Sequence, residues 1–159
     1  MKIGDFMTQG VYTVRPQDNL ELAAQKMWEH DYGALPVVDR NGRVVAMITD
    51  RDVCMAGYTQ GKPLADIRVS TAMSKGLVSC RPDETMSTAE RAMRQHQVRR
   101  LPVVDDQGRL VGIVSLNDLA LEAVTRRKQS DGELTVKEMA TTLAEICRHH
   151  HTAIAVRNE

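Results

Sequence analysis

Aromatic residues are scarce, at 3% of the 159-residue chain. That argues against a stacking platform for single-stranded nucleic acid, which needs ring faces. A surplus of charge is missing as well, since 21 Lys+Arg balance 21 Asp+Glu. A neutral chain has no long-range field to gather phosphate backbones, so nucleic acid is not an expected partner. The three cysteines, Cys54, Cys80 and Cys147, form no CxxC pair. An odd, scattered set gives no disulfide framework and fits a reducing compartment. No run approaches the ~18 apolar residues of a membrane span, and "MKIGDFMTQG" has no hydrophobic signal core, so the expectation is a soluble cytoplasmic protein. Phosphate-loop, GxGxxG, HExxH and GxSxG signatures are absent, and no cysteine has neighbours that would make it a nucleophile.

What the chain does have is itself, twice. Residues 7–53 align without a gap on residues 73–119, at an offset of 66, with 16 of 47 positions identical. The matches include Arg15/Arg81, Pro16/Pro82, His30/His96 and the block "LPVVD". Two copies that cannot each bury a face alone are expected to pack on each other about a pseudo-twofold axis.

Each copy reads as β-α-β-β-α. A short extended segment, "VYTV" or "LVSC", stops at Arg-Pro. An amphipathic helix follows, N-capped by Asn19 or Thr85. Two β runs come next, "LPVVD" and "RVVAMIT" in the first copy, joined through Asn41-Gly42 as a hairpin; Gln107-Gly108 answers in the second. A second helix begins near Asp50 or Leu116. The fold class is thus α/β of the α+β kind. The expected bounds are 1–58 for the first motif, 59–68 for a polar linker (the polar stretch "MAGYTQGKPLADIRVS" covers 55–70), 69–124 for the second motif and 125–159 for a connector and C-terminal helix. That last helix has Val136, Met139, Ala140, Leu143, Ile146 and Cys147 along one face and needs a partner surface, on its own module or on a second subunit. About forty residues lie outside the repeats, too few for a separate catalytic domain.

The pair Thr49-x-x-Asp52 has two readings. As a capping box, Thr49 accepts from the N–H of Asp52 and the Asp52 carboxylate reaches back to the Thr49 N–H, although Asp is shorter than the usual Glu or Gln. As a ligand hand, a carboxylate takes both hydroxyls of a cis-diol, and a helix N-terminus favours a phosphate or other anion. Ser115-x-x-Asp118 repeats the pair after another apolar strand, while Asp50 and Arg51 have become Leu116 and Asn117. Both readings survive the repetition, and one residue pair can serve both.

Paired units with "M-T/S-x-G-x-x-T/S-x-x-P", "LPVVD-x-x-G-R" and a strand ending "T/S-x-x-D" resemble tandem CBS motifs, a Bateman module. The resemblance covers residues 3–122 and leaves the tail outside. It implies two clefts between the motifs that bind AMP, ADP, ATP or S-adenosyl ligands, with no catalysis and no cofactor or metal required. Ribose and phosphate contacts map onto Thr49, Asp52, Ser115, Asp118, Arg99 and Arg100. Base contacts map onto Tyr12, Thr13, Tyr32 and Ala34 for one cleft, and onto Val78, Ser79, Val98 and Arg100 for the other. Gly33 and Ala34 stand where the second copy has Arg99 and Arg100, so the Ser115/Asp118 cleft is expected to favour phosphate, whose oxygens an Arg fork suits. The resemblance also implies a homodimer acting on another, unnamed protein.

Arg51, in the first turn after Thr49, is a further phosphate candidate or a solvated side chain. His30 and His96 are read as complements to the C-terminal ends of their helices. Three consecutive histidines, His149 to His151, point in different directions around a helix and make a poor chelate. Two other functions stay open: a dimerising scaffold whose T/S-x-x-D pairs are caps only, and a nucleic-acid-binding regulator using Arg99, Arg100 and the run Arg126-Arg127-Lys128.

Overall fold

Helix α1 (Leu20–Glu29) starts where Asn19 Oδ1 accepts the N–H of Leu22 at 2.9 Å. Its counterpart α3 (Met86–His96) starts where Thr85 Oγ1 accepts the N–H of Thr88 at 3.3 Å. Both expected caps are therefore formed, each satisfying a donor that a helix start leaves over. Leu20, Ala23 and Met27 turn inward from α1, and Met86, Ala89 and Met93 from α3. The computed structural model describes residues 1–126 and 136–147, with side chains described for 1–122 and 137–146.

The two hairpins follow: β1 (Ala34–Val38) with β2 (Val44–Thr49), and β3 (Arg100–Val104) with β4 (Leu110–Ser115), both antiparallel. Gly42 and Gly108 take φ +76° at the turns, the left-handed step that closes a three-residue loop. Asp39 and Asp105 lock these turns, each carboxylate accepting two backbone N–H groups. The backbone N–H of Arg109, and then its guanidinium, hold the Asp105 carboxyl below its ordinary value. Helices α2 (Asp50–Gln60) and α4 (Leu116–Arg126) leave directly from the strand ends.

The expected first strand of each repeat shrinks to a single residue. Val14 alone bridges Val37, and Cys80 alone bridges Val103, both in parallel. Each bonds through its N–H and its carbonyl, and the Arg-Pro that follows permits no further ladder.

A second correction concerns the linker. The stretch expected to be a polar connector plugs the first core: Ile67 and Val69 are 1% and 0% exposed and join Val14, Leu20, Leu35 and Ile48. The Ile67 carbonyl takes the N–H of Leu20, and Val69 donates to Asp18. Sixty-six residues earlier, Ile3 (0% exposed) does the same for the second core, among Met86, Leu101 and Leu119. Ile3 and Gly4 donate to the carbonyls of Glu84 and Pro82. Thr8 then pairs with Ile113 on β4, as Ser74 meets Met47 on β2. The segment leading into each repeat thus completes the core of the other.

The two repeats also meet on their symmetry axis. Arg43 bridges Arg109, its own counterpart. Val44 donates to Gly108 at 3.0 Å and Leu110 donates to Gly42 at 3.2 Å, so the bonds are reciprocal.

Helix α5 (Val136–Cys147) packs on α3 and α4 of its own chain. Its buried stripe differs from the expected one. Met139 and Ile146 reach the second core, but Leu143 is 49% exposed and Thr142 is 0% exposed. The cause is Glu90, a buried carboxylate on α3: Thr142 donates its hydroxyl to Glu90, and Arg94 lies 3.7 Å from the same group. A buried carboxylate needs such donors, and this need rotates α5 toward its threonine. The side chains of Val136 and Cys147, the run Arg126-Arg127-Lys128 and His149 to His151 lie outside the described residues.

Two outcomes are expected. A Cβ on Gly112 would lie 2.7 Å from Met7 Sδ and 2.9 Å from the Thr8 carbonyl oxygen, whereas nothing lies within 4 Å of one on Gly76. In urea unfolding, Gly112→Ala is expected to cost about 1–3 kcal/mol by overpacking the docked segment, and Gly76→Ala within about 0.5 kcal/mol of zero. An equal cost at both sites would mean that segment 7–8 is not held as described. Burial, and then the charge of Glu84, push the Cys80 thiol up from 9.0 to about 12. Its contribution to stability is fully present below the unfolded value and lost as pH rises from 9.0 toward about 12. In native protein at pH 8, iodoacetamide is expected to modify the exposed Cys54 and to spare Cys80 until denaturant is added.

Candidate functional site

Strand β2 delivers Thr49 to the start of α2 in an extended conformation, φ −116° and ψ 164°, which suits an N-cap. Asp52 Oδ2 accepts the Thr49 N–H at 2.9 Å and the Thr49 hydroxyl at 2.7 Å, while the Asp52 N–H donates to Thr49 Oγ1 at 3.2 Å. The second copy repeats this almost atom for atom: Asp118 Oδ2 accepts the Ser115 N–H and hydroxyl, each at 2.7 Å, and Asp118 N–H donates to Ser115 Oγ at 3.2 Å. Aspartate, despite its length, closes the box in both copies. All of this uses one oxygen. Among the described residues, Oδ1 of Asp52 and of Asp118 takes no hydrogen bond. Each half-buried carboxylate is fixed by its cap and keeps an acceptor to spare.

A cleft of about 150 Å³ opens over Ser115 and Asp118. One wall is Ile113 of β4 with the crossed-over segment at Thr8 and Val11. The opposite wall comes from the first repeat, through Asp31, Tyr32, Gly33 and Ala34. Arg100 closes one side; it stands opposite Ser115 in the β3–β4 register, and its Nη2 lies 3.4 Å from where a Cβ on Gly33 would be. Asp50 Oδ2 lies 3.4 Å from the same point, so Gly33 has the guanidinium and a carboxylate as neighbours. The volume is below the ~300 Å³ at which ligand pockets usually begin.

The structure thus brings together Ser115, Asp118, Arg100, Tyr32 and Ala34 from the sequence-derived set. Thr49 and Asp52 sit at the equivalent helix start, with Ala34 opposite Thr49 in the β1–β2 register. Arg99 is exposed, and its carbonyl accepts the Leu116 N–H. Arg51 is exposed in the first turn of α2.

Tyr12 does not line this cleft: its ring stacks on His30, with centroids 3.7 Å apart, and Tyr32 lies 6.2 Å from it. His30, read as a complement to the end of α1, is thus an aromatic partner as well. The Thr13 carbonyl accepts Lys26 Nζ at 2.7 Å. Val78 and Val98 pack against the second core, and Ser79 is half-buried between Val78 and Cys80. Thr8, Val11, Asp31 and Ile113 were not foreseen as lining residues. The one signal for Thr8 was its place in the repeated "M-T/S-x-G".

Among the described residues, no cluster of three or more His, Cys, Asp or Glu is arranged to hold a metal ion, and no helix is long and apolar enough to cross a membrane.

Comparison with known proteins agrees with this architecture. The CBS domain family model matches residues 3–58 and 65–124. The CBS domain-containing protein YhcV of Bacillus subtilis is 43% identical over 123 residues, 77% of this chain and 86% of its own length. CBSX2 of Arabidopsis thaliana, solved in complex with AMP, superposes with a TM-score of 0.70 at 26% identity, over 79% of this chain and 98% of that one. The CBS domain pair of protein MJ0100, in complex with 5'-methylthioadenosine and S-adenosyl-L-methionine, gives 0.71 at 25% identity, over 81% and 98%. The doubled β-α-β-β-α plan, the twofold-related hairpins and the matched family model make this chain a member of the CBS domain family, carrying two tandem motifs.

Proposed function

We propose that the chain is a non-catalytic regulatory module that takes an adenine nucleotide or S-adenosyl ligand in the cleft over Ser115 and Asp118. The observation that carries this reading is the spare Oδ1 of a capped Asp118 that lines one cleft together with Arg100. Oδ1 accepts the ribose hydroxyls. The base lies between Tyr32–Ala34 and the Val11–Ile113 wall. The Arg100 fork meets phosphate or, in an S-adenosyl ligand, the carboxylate. The AMP bound to CBSX2 and the S-adenosyl-L-methionine bound to MJ0100 support the ligand class.

A nucleotide needs more than the roughly 150 Å³ available. Binding therefore selects a wider arrangement, in which segment 31–34 and the Thr8–Ile113 bridge move apart. Only the difference in affinity between the two arrangements drives the change. The regulated protein is a separate chain, and the module acts as a cytoplasmic homodimer.

The second reading is a scaffold with a closed cleft. The complete cap bonds and the small cavity favour it.

Thermal unfolding with AMP, ADP, ATP, NAD and S-adenosylmethionine separates the two. A ligand at ~100 times its dissociation constant is expected to stabilise the wild type by roughly 2.7 kcal/mol. Asp118→Ala also loses a cap, about 1 kcal/mol, so each variant's ligand increment is read from its own ligand-free baseline. The increment is expected to vanish in Asp118→Ala. In Arg100→Ala it is expected to fall more for ATP than for AMP. No increment with any ligand would leave the scaffold, and equal increments in all variants would overturn the ribose assignment. Sedimentation velocity measures the dimer.

A further inference from the structure

Arg100 is the one cation lining the cleft over Ser115 and Asp118, and the lining also holds the carboxylates of Asp31 and Asp118. A third carboxylate stands beside Gly33. A Cβ on that glycine would lie 3.4 Å from Arg100 Nη2 and 3.4 Å from Asp50 Oδ2. The first and second repeats thus bring opposite charges to one point of the cleft wall. The charges do not close on each other: among the described residues neither Arg100 nor Asp50 makes an ion pair, and the Arg100 guanidinium makes no hydrogen bond. Asp50 Oδ1 accepts the Arg51 N–H at 2.7 Å, which leaves Oδ2 as an acceptor without a donor. The Asp50 N–H bonds the Gly33 carbonyl at 3.2 Å and so holds the start of α2 against this wall.

The other helix start shows what is particular here. Sixty-six residues on, the Leu116 N–H bonds the Arg99 carbonyl at 2.9 Å, the same bond in the same place. Leu116 itself turns into the second core, and the residues matching Asp31 and Arg100 are Gln97 and Ala34. Starting the helix therefore does not require a carboxylate at this position. The charged trio of Asp31, Asp50 and Arg100 belongs to one cleft, and its three counterparts are uncharged.

Charge decides what an adenosyl ligand can place beside this trio. With the ribose on Asp118, one guanidinium remains with two carboxylates. A polyphosphate tail brings several negative charges, which Arg100 attracts and Asp31 and Asp50 repel. An amino-acid end brings one carboxylate and one ammonium, and each finds a partner: the carboxylate takes the Arg100 fork, and the ammonium donates to Asp50 Oδ2. Arg100 alone would suit either tail, and Asp50 breaks the tie.

Given a cleft that takes an adenosyl ligand, as proposed above, we propose that Asp50 is a specificity-determining residue of that cleft, pairing with Arg100 to receive the zwitterionic amino-acid end of an S-adenosyl ligand and to disfavour nucleotide polyphosphates.

S-adenosylhomocysteine carries the amino-acid end on a neutral sulfur, and 5'-methylthioadenosine lacks that end, so the two ligands isolate its contribution. Isothermal titration calorimetry on the full-length protein compares both with ATP. The wild type is expected to bind S-adenosylhomocysteine about tenfold more tightly than 5'-methylthioadenosine. Asp50→Asn keeps an acceptor for the Arg51 N–H and removes the charge. It is expected to bring S-adenosylhomocysteine within about threefold of 5'-methylthioadenosine, to leave 5'-methylthioadenosine unchanged and to tighten ATP by about threefold. A merely structural role for Asp50 would weaken all three ligands together, and that outcome would overturn the proposal. So would a wild type that binds 5'-methylthioadenosine as tightly as S-adenosylhomocysteine. Asp118→Ala separates the two levels: if it abolishes binding while Asp50→Asn matches the wild type, the role of Asp50 falls and the adenosyl cleft stands. No binding of any of the three ligands by the wild type would overturn both.

Discussion

The exchange of leading segments is the contact on which the rest of this structure depends. Ile3 is buried in the second core, and Ile67 with Val69 in the first. Burying one such side chain is worth about 1.5–3 kcal/mol, a large share of the net stability of a small domain. Neither repeat can keep its core dry without the stretch that precedes the other. The same crossing carries Thr8 to β4 and Val11 to the cleft wall. The cleft is therefore a by-product of how the two cores are closed.

The Thr49/Asp52 and Ser115/Asp118 pairs show how a helix start can hold a carboxylate still. Every bond of the capping box lands on one carboxylate oxygen, Oδ2. The cap holds the rotamer of the aspartate, so the side-chain entropy of ordering it is already spent in the folded chain. A cap of this kind leaves a second oxygen, Oδ1, fixed in place and, among the described residues, without a hydrogen bond. What separates the two copies is their surroundings: arginine at 100, where the first copy has the buried Ala34.

Local features were legible in the sequence because their causes are local. Asn19 and Thr85 cap because a side-chain oxygen sits three residues before a donor, and Gly42 and Gly108 turn because the loop requires φ above zero. The capping pairs Thr49/Asp52 and Ser115/Asp118 were legible for the same reason. The crossing of Ile3 and Ile67 was not, since it joins residues far apart in the chain, and a polar composition hid two anchors. Period alone set the inward face of α5 through Leu143; a buried Glu90, on another helix, set it through Thr142. Tyr12 was placed by analogy against a base, and the structure gives its ring to His30.

The bonds across the axis bear on where such a chain is free to change. Arg43 meets Arg109, and the Val44–Gly108 and Leu110–Gly42 bonds are each other's mirror. This is the grammar of an isologous interface, in which one patch must complement itself, written inside a single polypeptide. A patch that faces its own image is constrained twice, because a change in one copy confronts the unchanged other. Away from the axis no such mirror operates. Trp28 and Arg94, Asp31 and Gln97, or Ala34 and Arg100 can diverge without either having to match its twin. Covalent duplication has in this way released the flanks to specialise while the seam stays symmetric.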